Sequence, residues 1–163
     1  MNLIRGSSYL KHGGRRTMGG AAAVELALLL IPMLILILGV AEFGRALYQY
    51  NTLTKAVRDA ARYLSQFNPN DASAYDEAKE DAICLAVYGS LSCGGEVLVA
   101  DLVPDMVSIN TIAETSSAGV PITLVEVRIT GFIFNFILNP LMFLGGGDQS
   151  ITFDDIRAVM RQS

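Results

Sequence analysis

The residue best placed to do chemistry is a carboxylate in an environment where a carboxylate is expensive. Glu25 is the only charged residue in the apolar run 21–41, and it stands five positions after Gly20. An ionised acid so near the start of a membrane-length helix is costly unless something neutralises it. Cutting the chain after Gly20 would leave a new ammonium group at Ala21, about 6 Å along the helix axis from Glu25. The same ammonium on a neighbouring copy could neutralise the carboxylate and fix the axial register between copies. The plainer alternative is a glutamate at the edge of an ordinary anchor, snorkelling toward the lipid headgroups.

The second pair is Cys84 and Cys93, with eight residues between them. In an oxidising compartment they would close a short loop worth ~2–3 kcal/mol; in a reducing one they remain two free thiols. A metal site needs more ligands than two cysteines, and no histidine lies nearby. The single histidine, His12, falls within the first twenty residues. HExxH, GxSxG and Walker patterns are absent, and Asp76-Glu77, Glu80-Asp81 and Asp154-Asp155 read as solvated faces. Neither enzymatic activity nor a cofactor is expected.

These groups must be positioned by elements that the apolar pattern defines. Residues 21–41, AAAVELALLLIPMLILILGVA, would form a helix spanning roughly 30 Å, the thickness of the hydrocarbon core. Pro32 within it removes one backbone hydrogen bond, which a membrane helix tolerates. Beyond it Phe43, Ala46, Tyr50, Leu53, Val57, Ala60 and Leu64 recur every three or four residues, forming one helical stripe. No Gly-Pro break separates the two, so the spacing predicts one helix over about 21–66. Asn68-Pro69-Asn70-Asp71 ends it. A second helix is expected over about 73–88, with Ser73 and Asp76 as a capping box, Tyr75, Ala78, Ala82, Leu85 and Ala86 inside, and Gly89 as its stop. Strands are expected across about 96–160, from the alternation at Val97–Ala100, at Val107 and Ile109, and at Val125–Ile129, with the last residues as a closing strand. The stretch FIFNFILNPLMFL, 132–144, is too short to span a bilayer and reads as buried core, or as a surface lying on membrane or on a partner. Gly145-Gly146-Gly147 reads as a loop.

Charge is segregated along the chain. The first twenty residues carry Arg5, Lys11, Arg15 and Arg16 and no acid, while residues 21–163 hold the other eight basic residues against all sixteen acids, a net charge of −8. An acidic body argues against nucleic-acid binding, which needs a cationic folded surface. The basic head keeps the N-terminus in the cytoplasm by the positive-inside rule, with the rest outside. Three segments are thus expected: a basic leader 1–20, a transmembrane helix 21–41 and an extracytoplasmic domain 42–163.

Gly20 followed by an apolar run with Glu25 resembles the processing site of prepilins, which a prepilin peptidase cuts after the glycine on the cytoplasmic face. Gly19 beside Gly20 places the scissile bond within one residue. The wider segment, with Gly20-Ala-Ala-Ala-Val-Glu25, Pro32, Glu42-Phe-Gly-Arg45, Asn51-Thr-Leu-Thr54 and Ala60-Ala-Arg62-Tyr63, resembles the N-terminal region of TadE-like proteins of the tight-adherence (Flp) pilus system. The resemblance is dense over 15–65. It implies a minor pseudopilin of the inner membrane, with Gly20 as the last leader residue and Glu25 used in processing or assembly. The partners it implies are membrane lipid, the prepilin peptidase, other pilus subunits and the inner-membrane assembly machinery.

A competing reading is a secreted binding domain. Gly39-Val40-Ala41 has the small-x-small form that signal peptidase accepts, and cleavage after Ala41 would release a soluble chain starting at Glu42. An anchored enzyme or receptor domain would require a constellation in 70–163 that the sequence does not contain. The fold expected is α+β: a long N-terminal helix packed on a small antiparallel sheet of three or four strands, pilin-like, with one additional short helix between.

Overall fold

The computed structural model describes residues 19–139, 142 and 145–162. Residues 1–18, where a leader is expected, lie outside the described residues, as do Pro140, Leu141, Phe143 and Leu144 of the second apolar stretch.

One helix, α1, runs unbroken from Gly19–Leu64 and carries Pro32 within it. Its 46 residues make a rod of about 69 Å. The apolar run and the stripe beyond it are therefore one element. Past Leu64 the backbone tightens, with Phe67 N–H donating to Leu64 O at 3.1 Å. Asn68 Oδ1 then accepts from Asn70 N–H at 3.0 Å, so the Asn-Pro-Asn-Asp sequence turns the chain.

The second helix, α2, spans Ala72–Tyr88. Its N-cap is Asp71, whose side chain accepts from Ala74 N–H, and not the Ser73–Asp76 box expected from sequence. Ser73 instead donates to Asp71 Oδ1 at 3.1 Å, reinforcing the cap. Gly89 closes the helix at φ 69°. A Cβ there would also lie 3.0 Å from Leu98 Cδ2, so glycine is required for conformation and for space. Tyr63 Oη donates to Asp81 at 2.9 Å and ties the two helices together. Ala60, Ala61, Ala78, Ala82 and Ala86 are all buried in the shared core.

The main sheet has three antiparallel strands in the order β1-β2-β5, with β1 at Val107–Thr115, β2 at Pro121–Ile129 and β5 at Ile156–Arg161. Val125, Val127 and Ile129 share one face with Val107, Ile156 and Ala158, and all six join the core with Leu53, Val57 and Leu64 of α1. Between β2 and β5 a second antiparallel pair is inserted, β3 at Ile133–Asn135 and β4 at Ser150–Thr152. Phe153 N–H donates to Phe132 O at 2.9 Å, so the two ladders form one long, broken hairpin.

Three expectations need correction. Val97–Ala100 is not a strand: this stretch is turn, followed by a 3₁₀ turn at Pro104–Met106, and the first strand begins at Val107. Every residue there is apolar, so the alternation defines no face, and of the four only Val99 is buried. The stripe on α1 is buried only in its upper part: Leu53, Val57, Ala60 and Leu64 are at 0%, whereas Phe43 is 65% exposed. The 132–144 stretch is two-faced, with Phe132 and Phe134 buried and Ile133, Ile137, Leu138 and Met142 exposed.

Candidate functional site

Gly20, Ala21 and Glu25 all lie on the first turns of α1, with exposed side chains on the last two. A Cβ at Gly20 would meet nothing within 4 Å. Glu25 stands one helical turn beyond Ala21. An 18-residue window of this helix reaches a mean hydropathy of 2.7 with none of it buried, so it is long and apolar enough to cross a membrane.

Where the apolar run ends, a polar knot begins. Glu42, 7% exposed, accepts from Arg45 Nη2 at 2.7 Å, one turn along α1. It also accepts from the backbone N–H of Ile137 at 3.3 Å and of Leu138 at 3.4 Å. Arg45 donates in addition to Asn135 O, and its guanidinium lies 4.2 Å from the centroid of the Phe134 ring. Burial works to raise the Glu42 pKa. The bond from Arg45, the Ile137 N–H, the Arg45 charge and the Leu138 N–H outweigh it, and the carboxyl is held below its ordinary value. The knot clamps the tip of the β3–β4 hairpin to α1 just past residue 41. Reasoning from sequence did not assign Glu42 a role. The signal available was a Glu/Arg pair at i,i+3 directly after an apolar run.

Glu126, 4% exposed, anchors a second cluster on the sheet face turned away from α1. It pairs with Arg128 at 3.0 Å and Arg157 at 3.6 Å, and Arg128 reaches Asp155 at 3.3 Å. The Arg128 bond holds the Glu126 carboxyl below its ordinary value against burial. Cross-strand register explains the cluster, since Arg128 sits opposite Arg157 and Glu126 opposite Val159.

Cys84, buried on α2, and Cys93, exposed in the loop after it, have Cα atoms 4.7 Å apart, and their sulfurs are joined. That separation lies in the range a disulfide bridges. Among the described residues no three His, Cys, Asp or Glu side chains gather as a metal site.

A helix long and apolar enough to cross a membrane, with its upper half built into an α+β head, defines the class: a protein organised around its N-terminal helix. Within that class, residues 20–62 match the family model described as TadE-like protein. The match begins at Gly20, takes in Glu25, Glu42 and Arg45, and stops before α2 and the sheet. No curated protein and no solved structure matches the chain.

Proposed function

We propose that this chain is a minor pseudopilin-like subunit acting in assembly of a tight-adherence (Flp, type IVb) pilus. Residues 1–20 are a cytoplasmic leader removed after Gly20 by a prepilin peptidase, residues 21–41 span the inner membrane, and residues 42–163 form the extracytoplasmic head. The observation that carries the reading is the coincidence of two boundaries: the TadE-like match begins at Gly20 and the apolar run one residue later.

Hydrolysis of the Gly20–Ala21 bond releases the leader with a new carboxylate and leaves an ammonium at Ala21. Glu25 then faces a cation of its own kind of environment, on the same or a neighbouring helix, and the pair lowers the cost of a charge in lipid. Other pilus subunits, the assembly machinery, the peptidase and lipid are the partners of this reading. An oxidising compartment around the head keeps Cys84 and Cys93 bonded.

The alternative cut after Ala41 would sever α1 one residue ahead of Glu42, and Glu42 anchors the head's hairpin. The continuity of α1 across that bond favours the first reading.

Replacing Gly20 with a bulky residue tests the reading in cells. Under it, the uncleaved precursor accumulates in the membrane and pilus output falls. Normal processing and piliation in Gly20→Leu would contradict it.

A further inference from the structure

The broken hairpin runs down α1 toward the apolar run. Phe153, hydrogen-bonded across from Phe132, packs edge-on to Tyr50 at 5.7 Å; Phe134 lies under Arg45; Ile137 and Leu138 meet Glu42. From Tyr50 to Glu42 this is a descent of about 12 Å along the helix axis. With residues 21–41 filling roughly 30 Å of hydrocarbon, Glu42 stands at the hydrocarbon edge, and Ile137 and Leu138 stand level with it. There the chain exposes apolar side chains: Ile137 at 73%, Leu138 at 51% and Met142 at 71%. Two polar side chains beside them are engaged within the chain, while Asp148, in the same loop, is exposed. Glu42 is occupied by Arg45 and two backbone N–H groups, and Asn139 Nδ2 donates to Asp148 O at 2.9 Å across the loop.

We propose that the hairpin tip, at Ile137, Leu138 and Met142, is a lipid-contacting surface seated in the interface of the bilayer that α1 crosses. Glu42, which binds the backbone of Ile137 and Leu138, directly follows the apolar run of α1, so a bilayer covering that run reaches these side chains. This second contact, clamped to α1 by Glu42 and Arg45, fixes the rotation and tilt of the head over the membrane, which a single helix alone leaves free. The inference rests on α1 being the membrane span.

The protein contains no tryptophan, so a single introduced one reports cleanly. Leu138→Trp, Leu34→Trp within the span, and Val120→Trp at the β1–β2 turn are each placed in the full chain. Each is reconstituted in phosphatidylethanolamine–phosphatidylglycerol vesicles, with and without brominated acyl chains. Val120 follows the end of the sheet where Gln162 reaches Phe67 O, far from Glu42. The expected result is a blue shift and bromine quenching for Leu138→Trp and Leu34→Trp, with neither for Val120→Trp. Quenching of Leu34→Trp without Leu138→Trp overturns the lipid contact and leaves the anchor standing. A Leu138→Trp blue shift that grows with protein-to-lipid ratio and ignores bromine assigns the patch to a second copy, and also overturns it. Loss of quenching at Leu34→Trp overturns the anchor and the contact together. Met142→Trp repeats the measurement should Leu138→Trp disturb the clamp.

Discussion

The two halves of α1 are one helix with two different surroundings. Below residue 42 it is apolar on every side and no residue of it is buried; above, Leu53, Val57, Ala60, Ala61 and Leu64 are at 0% exposure against α2 and the sheet. The same division separates its two glutamates. Glu42 is neutralised by Arg45 and two backbone N–H groups of its own chain, while Glu25, among the described residues, has no hydrogen bond or ion pair. The upper half is complete as a folded object. The lower half is apolar and uncovered by the rest of the chain, and under the proposed function lipid surrounds it and a cation meets Glu25.

That contrast can be broken most strongly in the core. Leu53→Ala should destabilise the head by about 2–5 kcal/mol, because a fully buried leucine leaves a cavity. Leu34→Ala, on the unburied half, should leave the urea midpoint of the head unchanged. Equal losses would mean the halves are not distinct. Next, Cys84→Ser, or a reductant on the native protein, should lower stability by ~2–3 kcal/mol through the released loop. Thiol titration of the unreduced protein checks that the bond exists.

Glu42→Ala should cost about 2 kcal/mol, since two backbone N–H groups and Arg45 lose their acceptor, with Arg45's partial exposure limiting the loss. Protease accessibility of the hairpin tip should rise in that variant and not in Glu25→Ala. Acid provides a gentler version. Glu42 and Glu126 have folded pKa values below their unfolded value of about 4.3, so their contribution is present above that pH. It is lost as pH falls through the folded values. Stability should be flat from neutral pH down to about 5 and decline below about 4, and the Glu42→Gln, Glu126→Gln double variant should decline less steeply. The smallest effect on the fold belongs to Glu25→Ala, within about 0.5 kcal/mol of the native head. Its consequence should lie in assembly: membrane insertion intact, fewer sheared pili.

Much of this arrangement was legible in the residues. The 3.6 periodicity carried α1 across the membrane boundary, Asn68–Asp71 and Gly89 marked the helix ends, and the alternation at Val125–Ile129 placed β2 with its buried face. Local patterns suffice where the structure is local. They failed at Val97–Ala100, where four apolar residues in a row carry no period, and at the hairpin tip. There, Phe132, Phe134 and Phe136 alternate in a way that marks a two-faced strand, yet bulk hydropathy suggests core. The Glu42 clamp was the least legible, because two of its partners are backbone groups 95 and 96 positions away, chosen by tertiary packing and not by side-chain identity.

The central claim is that the chain loses its basic head at Gly20 and keeps α1 whole. N-terminal sequencing of the native protein from the membrane fraction tests it directly. A mature chain that starts at Ala21 is the predicted result. A chain that still carries Arg15 and Arg16, or one that begins at Glu42, would contradict it.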